Sequence, residues 1–143
     1  ETLQTVIVLT IFIPLLLGSG GNAGAQASTL MVRAIATSDV HIDEWLEIFL
    51  KELMVGLLLG LLMGIIGLIF GSLRGGYEIG LIVGLTMLTV VLAANLIGVM
   101  LPFVLTKMGL DPAVASNPLI TSITDVLGLL IYFAIAAMVL GGL

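Results

Sequence analysis

The chain contains no cysteine and few charged residues, and both shortages limit what kind of protein it can be. Without cysteine it forms no disulfide bond and offers no thiolate to a metal. Only 9% of its 143 residues are charged, whereas roughly a quarter are charged in ordinary soluble domains. We therefore expect a membrane protein rather than a soluble domain.

Basic residues and catalytic motifs are also scarce. Four lysines and arginines stand against nine aspartates and glutamates, so there is no basic patch, and nucleic acid is not an expected partner. The sequence has a single histidine, His41, and no Ser/His/Asp set, HExxH pattern or glycine-rich phosphate loop with a lysine. We do not expect an enzyme.

Long apolar runs are what the sequence has in abundance. Residues 2–32, 53–73 and 79–106 carry no charge, and 112–143 carry only Asp125. Each run exceeds the ~20 residues that cross a bilayer core. The sequence predicts an all-α, polytopic helical bundle in the cell membrane, with full spans at about 3–36, 50–72, 77–106 and 118–141. Residues 1–143 would form one transmembrane domain.

The segment before the second span has a helical pattern of its own. Apolar residues recur at Ile42, Trp45, Leu46, Phe49 and Leu53 among several acidic residues. This spacing predicts an amphipathic helix that lies at the membrane interface, between the first and second spans, with Trp45 as its anchor.

Small residues recur in the second and third spans. Glycines four residues apart, at Gly56, Gly60 and Gly64 and again at Gly76, Gly80 and Gly84, predict close packing of one helix on another. We interpret Asn95, within the third span, as a hydrogen-bonding contact between helices.

The last span carries an acidic residue well inside an apolar run. Asn117 and Pro118 are a typical helix start, with Asn117 as the capping residue. Asn117, Thr121 and Asp125 are then spaced i, i+4 and i+8, so they form one polar stripe. A carboxylate at this depth costs several kcal/mol unless it meets water, a cation or a donor. It either lines an ion path, or it is protonated or hydrogen-bonded and holds the bundle together.

The first span has a polar second half, from Gly18 to Thr29. On a helix, Asn22, Gln26 and Thr29 share one face. Such a segment at membrane depth must be buried in protein or face water. It is either pore-lining or a tight helix crossing joined by amide hydrogen bonds.

Two stretches together resemble a known family. The run from Pro14 to Ala36, with Gly-Gly-Asn-Ala-Gly-Ala-Gln at 20–26, is similar to the second transmembrane helix of the MgtE family of magnesium channels. Leu-Pro-Phe at 101–103, Gly-Leu-Asp-Pro-Ala at 109–113 and Thr-Asp-Val-Leu-Gly at 124–128 resemble its last two helices. The resemblance extends over nearly the whole chain.

The resemblance implies a homodimeric, Mg²⁺-selective channel whose pore lies between two subunits in the bilayer. It implies that Asp125 is the principal ion-site residue, with Asn117 and Thr121 on the same pore face. The residues with a pore-lining or supporting role would be Asn22, Gln26, Thr29 and Gly128. Family members also have a preceding transmembrane helix and cytosolic regulatory domains. Because this chain begins at Glu1, almost inside an apolar run, we expect it to be a fragment without them.

Oxygen chemistry is consistent with Mg²⁺ as the transported ion. Mg²⁺ prefers oxygen ligands and loses its waters reluctantly, so a pore can bind the hydrated ion through carboxylate, amide and hydroxyl groups. A two-fold axis would bring two copies of Asp125 together. Two alternatives stay open: an ion-coupled secondary transporter of divalent cations, and a non-transporting membrane subunit whose Asp125 pairs with a partner's cation.

Overall fold

The computed structural model describes residues 2–141, and every regular element in that range is helical. The four long helices are α1 (Thr2–Ala36), α2 (Trp45–Gly75), α3 (Tyr77–Lys107) and α4 (Asn117–Val139). Two short 3₁₀ helices, Ile42–Glu44 and Pro112–Val114, precede α2 and α4. All four long helices are long and apolar enough to cross a membrane. The predicted all-α bundle with four spans is therefore confirmed.

Helix α3 occupies the centre of the bundle and contacts each of the other three long helices. It runs parallel to α1, because Gly20 lies against Val90 and Gly24 lies against Ala94 and Gly98. Helices α2 and α4 run in the opposite direction. Many large apolar side chains on the outer faces, such as Leu58 of α2, are exposed, as expected of surfaces that face acyl chains.

Two clusters of buried apolar side chains lie at different levels of the bundle. The larger one comprises Leu9, Phe12, Leu16, Ile79, Ile82, Val83, Met87, Tyr132, Ile135 and Ala136. The smaller one comprises Ala27, Met31, Val99 and Phe103. Between them α1 presents the small residues Gly20, Gly21 and Gly24. Helices α3 and α4 therefore approach α1 closely at the level of its polar half.

Helices α2 and α3 form a tight hairpin, as the glycine spacing predicts. A Cβ atom at Gly60 would lie 2.7 Å from the Leu88 carbonyl oxygen, and one at Gly71 would lie 2.8 Å from the Gly80 Cα. A single residue, Gly76, joins the two helices at a φ of +84°, a conformation that side chains with a Cβ rarely adopt.

The structure corrects the prediction of a separate interfacial helix before the second span. Residues from Trp45 onward are the first turns of α2, which continues without interruption to Gly75. The apolar spacing from Ile42 to Leu53 is real, but no proline or positive-φ residue separates it from the spanning segment. Because nothing interrupts the backbone, the amphipathic segment and the apolar run form one continuous helix.

Candidate functional site

The polar stripe of α4 lies on the side of that helix that meets α1. Asn117 is exposed, whereas Thr121 and Asp125 are half-buried. Asp125 lies roughly 12 Å along the helix from Asn117, at ~1.5 Å per residue. The structure thus places the stripe on one side of α4, with its carboxylate well inside the membrane-spanning segment.

Asn117 has a different role from the predicted one. Ser116 occupies the capping position in an extended conformation, and Asn117 is the first helical residue. The prediction of Asn117 as the cap was therefore wrong by one residue. Its side-chain oxygen instead lies 3.1 Å from the Thr29 hydroxyl of α1, which is also 2.9 Å from the Ala25 carbonyl oxygen. Asn117 and Thr29 are thus brought together.

Gly21 of α1 provides the space in which Thr121 and Asp125 lie. A Cβ atom at Gly21 would lie 3.1 Å from Thr121 Cγ2 and 3.7 Å from Asp125 Oδ1. Any larger side chain there would crowd the carboxylate. The glycine-rich half of α1 therefore leaves room beside the acidic residue of α4.

The Asp125 carboxylate has no partner within the described part of the chain. No side chain among these residues donates a hydrogen bond to it, and no lysine or arginine forms an ion pair with it. One interpretation of the sequence is that Asp125 is hydrogen-bonded to a neighbouring helix and holds the bundle together. Within the described residues of one chain, no such hydrogen bond is present. A half-buried carboxylate without an internal donor remains accessible to water or a cation.

Asn22 and Gln26 are exposed on α1, next to this surface but turned toward α2. They line a groove of about 450 Å³ together with Glu52 of α2 and Asn95 of α3. The predicted face of α1 is therefore divided: Thr29 contacts the α4 stripe, whereas Asn22 and Gln26 reach the groove on its other side.

Gly128 packs inside the bundle. It is buried, and a Cβ atom there would lie 3.3 Å from Leu17 Cδ2 and 3.6 Å from Val90 Cγ1. Gly128 was predicted either to line the pore or to support the helices around it. Its buried position within one chain is suited to the supporting role. It lets α4 approach α1 and α3 one turn beyond Asp125.

Glu52 and Asn95 form a polar contact that sequence reasoning found only in part. Asn95 was predicted to join helices, and its side-chain nitrogen donates to Glu52 at 3.1 Å (carbonyl oxygen) and 3.2 Å (carboxylate Oε2). By sequence, Glu52 belongs to the acidic segment before the second apolar run, which is interpreted as a solvated face or, less strongly, as a group that collects divalent cations near a pore mouth. The signal that would have identified it is the unbroken helical pattern from Trp45 into the second apolar run.

The donor set of the site consists of single carboxylates with amides and hydroxyls. Within residues 2–141, no three or more histidine, cysteine, aspartate or glutamate side chains gather closely enough to hold a metal ion directly. One chain therefore offers no dehydrated metal cage. Its oxygen groups are suited to contacting the waters of a hydrated cation.

Comparison with known proteins gives a consistent result. The family described as "MgtE: Divalent cation transporter" matches residues 13–135. A protein named "Magnesium transporter MgtE" from Thermus thermophilus is 45% identical over 140 residues, which is 98% of this chain and 31% of that protein.

Two further relatives carry the same name. The protein from Enterococcus faecalis is 37% identical over 132 residues, covering 92% of this chain and 29% of the relative. The protein from Bacillus subtilis is 29% identical over 137 residues, covering 95% and 30%. The chain thus spans only about a third of the length of these curated relatives.

Proposed function

The chain belongs to the MgtE family of divalent cation transporters, and from this premise we propose that it forms the pore domain of a Mg²⁺-selective channel. The pore would hold hydrated Mg²⁺, with Asp125 as its main selectivity residue. The relatives named as magnesium transporters support Mg²⁺ as the ion.

One observation carries the proposal: Asp125 is half-buried within a spanning helix and has no internal partner. A charged side chain at membrane depth is unfavourable by several kcal/mol unless water or a counter-ion meets it. Asn117 and Thr121 follow on the same side of α4 toward the end of the bundle, and together they would form a wet path leading to the carboxylate.

The chemistry of Mg²⁺ suits such a path. The ion keeps several of its waters, so it can be selected by groups that accept hydrogen bonds from those waters. Asp125, Asn117 and Thr121 supply a carboxylate, an amide and a hydroxyl. On α1, Thr29 contacts Asn117 and would line or support the same path, whereas Asn22 and Gln26 face the groove on the other side of α1.

The path would lie between two copies of the chain. One carboxylate per chain is a weak cation site, but a two-fold axis beside α1 and α4 would place two aspartates around one ion. We therefore propose a homodimer in the plasma membrane. Cytosolic regulatory domains of the same full-length protein would control its opening.

The direct test is the flux of Mg²⁺ into liposomes that contain the full-length protein. Asp125→Asn removes the charge and keeps the size, and we expect it to lower the flux on the order of tenfold or more. Asp125→Ala removes the oxygens as well and should lower it further. The matched control is Asp43→Asn, in the exposed 3₁₀ helix before α2.

Other results would contradict the proposal. Normal flux in an Asp125→Ala protein that inserts and assembles normally would reject the selectivity role of Asp125. Mg²⁺ uptake strictly coupled to a proton or Na⁺, without single-channel currents, would indicate a secondary transporter. No flux from the unmodified protein alone would indicate a subunit that needs a partner.

A further inference from the structure

A second carboxylate lies at the start of the charge-free run of α2, on the other flank of α1 from Asp125. Glu52 of α2 is half-buried, and Asn95, which is only 5% exposed, donates to both its carbonyl and its carboxylate. Asn95 lies roughly 18 Å from the Lys107 end of α3 and roughly 27 Å from the Tyr77 end. Asn95 therefore lies inside the apolar part of α3, whereas Glu52, one residue after the exposed Lys51, lies at the border of the apolar part of α2.

The carboxylate borders an open groove rather than a closed core. The groove has a volume of about 450 Å³. Its polar wall consists of Asn22 and Gln26 from α1, opposite Glu52 and Asn95. Its remaining lining includes apolar residues such as Val55 of α2. A hydrated cation fits a space of this size, which holds several waters.

The contact with Asn95 satisfies the Glu52 carboxylate only in part. Oε2 accepts the Asn95 hydrogen bond, and no other described residue donates to the carboxylate or forms an ion pair with it. A neutral glutamine would accept the same hydrogen bond from Asn95 without the desolvation cost of a charge. The charge therefore calls for a ligand in the groove.

We propose that this groove is a second binding site for a hydrated divalent cation. Glu52 would supply the charge, oriented by Asn95, and the Asn22 and Gln26 amide oxygens would accept hydrogen bonds from the ion's waters. The proposal rests on the proposed function only for the identity of the ion. The site holds Mg²⁺ beside the α1–α4 surface and so raises the local concentration of ions that enter the pore.

Glu52→Gln tests the site with little disturbance of the fold, because a glutamine oxygen can still accept the bond from Asn95. Mg²⁺ binding to the full-length protein is measured by titration calorimetry, with and without Asp125→Asn. We expect Glu52→Gln to weaken one class of Mg²⁺ sites about tenfold in both backgrounds. It should raise the Mg²⁺ concentration for half-maximal flux by a similar factor where Asp125 is intact.

The matched control is Glu47→Gln, an exposed carboxylate on the same helix that lies outside the groove. A second variant, Val55→Trp, fills the groove from α2 without removing a polar group, and it should abolish the same class of sites. Should Glu52→Gln prove unstable, Val55→Trp gives the answer alone.

The outcomes separate this site from the pore. Identical calorimetric curves for Glu52→Gln, Val55→Trp and Glu47→Gln would overturn the groove site and leave Glu52 as a helix–helix contact. Loss of one site class in Glu52→Gln, with Asp125→Asn leaving flux unchanged, would support the groove site while rejecting the proposed pore residue.

Discussion

A single buried hydroxyl joins α4 to α1 on the apolar side of the site. Tyr132 is 1% exposed, and its hydroxyl donates to the Leu9 carbonyl oxygen at 2.7 Å. Because this bond lies beyond Asp125 and Gly128 along α4, it positions the helix that carries the acidic stripe.

Tyr132→Phe should destabilise the bundle, because it leaves the Leu9 carbonyl without this donor and keeps the ring. We expect a loss of roughly 1–2 kcal/mol in the free energy of unfolding, measured by thermal denaturation in detergent. Thr86→Val is the matched control, since the Thr86 hydroxyl is buried without a hydrogen-bond partner. An equal loss in both variants would contradict the role of the hydrogen bond.

At this scale the sequence predicts the placement of some residues well and the placement of others poorly. The i, i+4, i+8 spacing of Asn117, Thr121 and Asp125 places them on one side of α4, as the structure shows. Spacing alone cannot tell which neighbour a residue meets. Gly128, to which the family resemblance gives a lining or supporting role, packs against Leu17 and Val90. The contact of Glu52 was missed because its partner lies on another helix.

At the scale of elements, the α2–α3 pair depends on the absence of side chains along its seam. The Gly60 position lies against the backbone of α3 at Leu88, and Gly64 lies against the Gly84 carbonyl oxygen. Backbone atoms cannot rotate away as a side chain does. The close approach of the helices therefore requires glycine at these positions.

Gly60→Val should separate the two helices and destabilise the pair by roughly 1–3 kcal/mol, as overpacking of a tight contact does. It should also lengthen the Asn95–Glu52 contact about two turns away. The measurement is the resistance of the protein to unfolding by a denaturing detergent, monitored by the helical signal in circular dichroism. Leu62→Val, at an exposed position of the same helix, is the control, and equal resistance of both variants would contradict the close-packed seam.

The elements themselves were largely predictable, because charge-free runs of this length have few alternatives to spanning helices. The bounds of α1 and α3 differ from the predicted spans by a residue or so. The start of α2 was predicted too late, since an amphipathic pattern at a membrane surface and the end of a long spanning helix have the same apolar spacing. Only a break in the backbone distinguishes them, and there is none from Trp45 to Gly75.

At the scale of the whole molecule, the polar groups of α1 and α4 lie on an outer surface of the single chain. Asn117 is exposed there and Asp125 is half-buried, whereas Asn22 and Gln26 are exposed at the groove on the other side of α1. No sequence pattern specifies what covers such a surface. The family resemblance suggests a second copy, and that assembly stays a prediction.

The lack of cysteine offers a clean test of the assembly. With one introduced thiol per chain, a short bis-maleimide can join only two chains. We expect Asn117→Cys, on the α4 stripe, to give cross-linked dimers in membranes, because the proposed axis runs beside it. Leu58→Cys, exposed on the outer face of α2, should stay monomeric on a denaturing gel. The reverse pattern would place the interface elsewhere.

The one-residue connection at Gly76 has a mechanical consequence for the assembled molecule. Because a single residue joins them and glycines line their contact, we expect α2 and α3 to move together. Helix α4, by contrast, is tethered to α3 by the segment from Met108 to Ser116, which includes a positive-φ residue at Gly109. If the passage proposed beside Asp125 widens or narrows, we expect α4 to tilt relative to the α2–α3 pair, with its hinge in that segment.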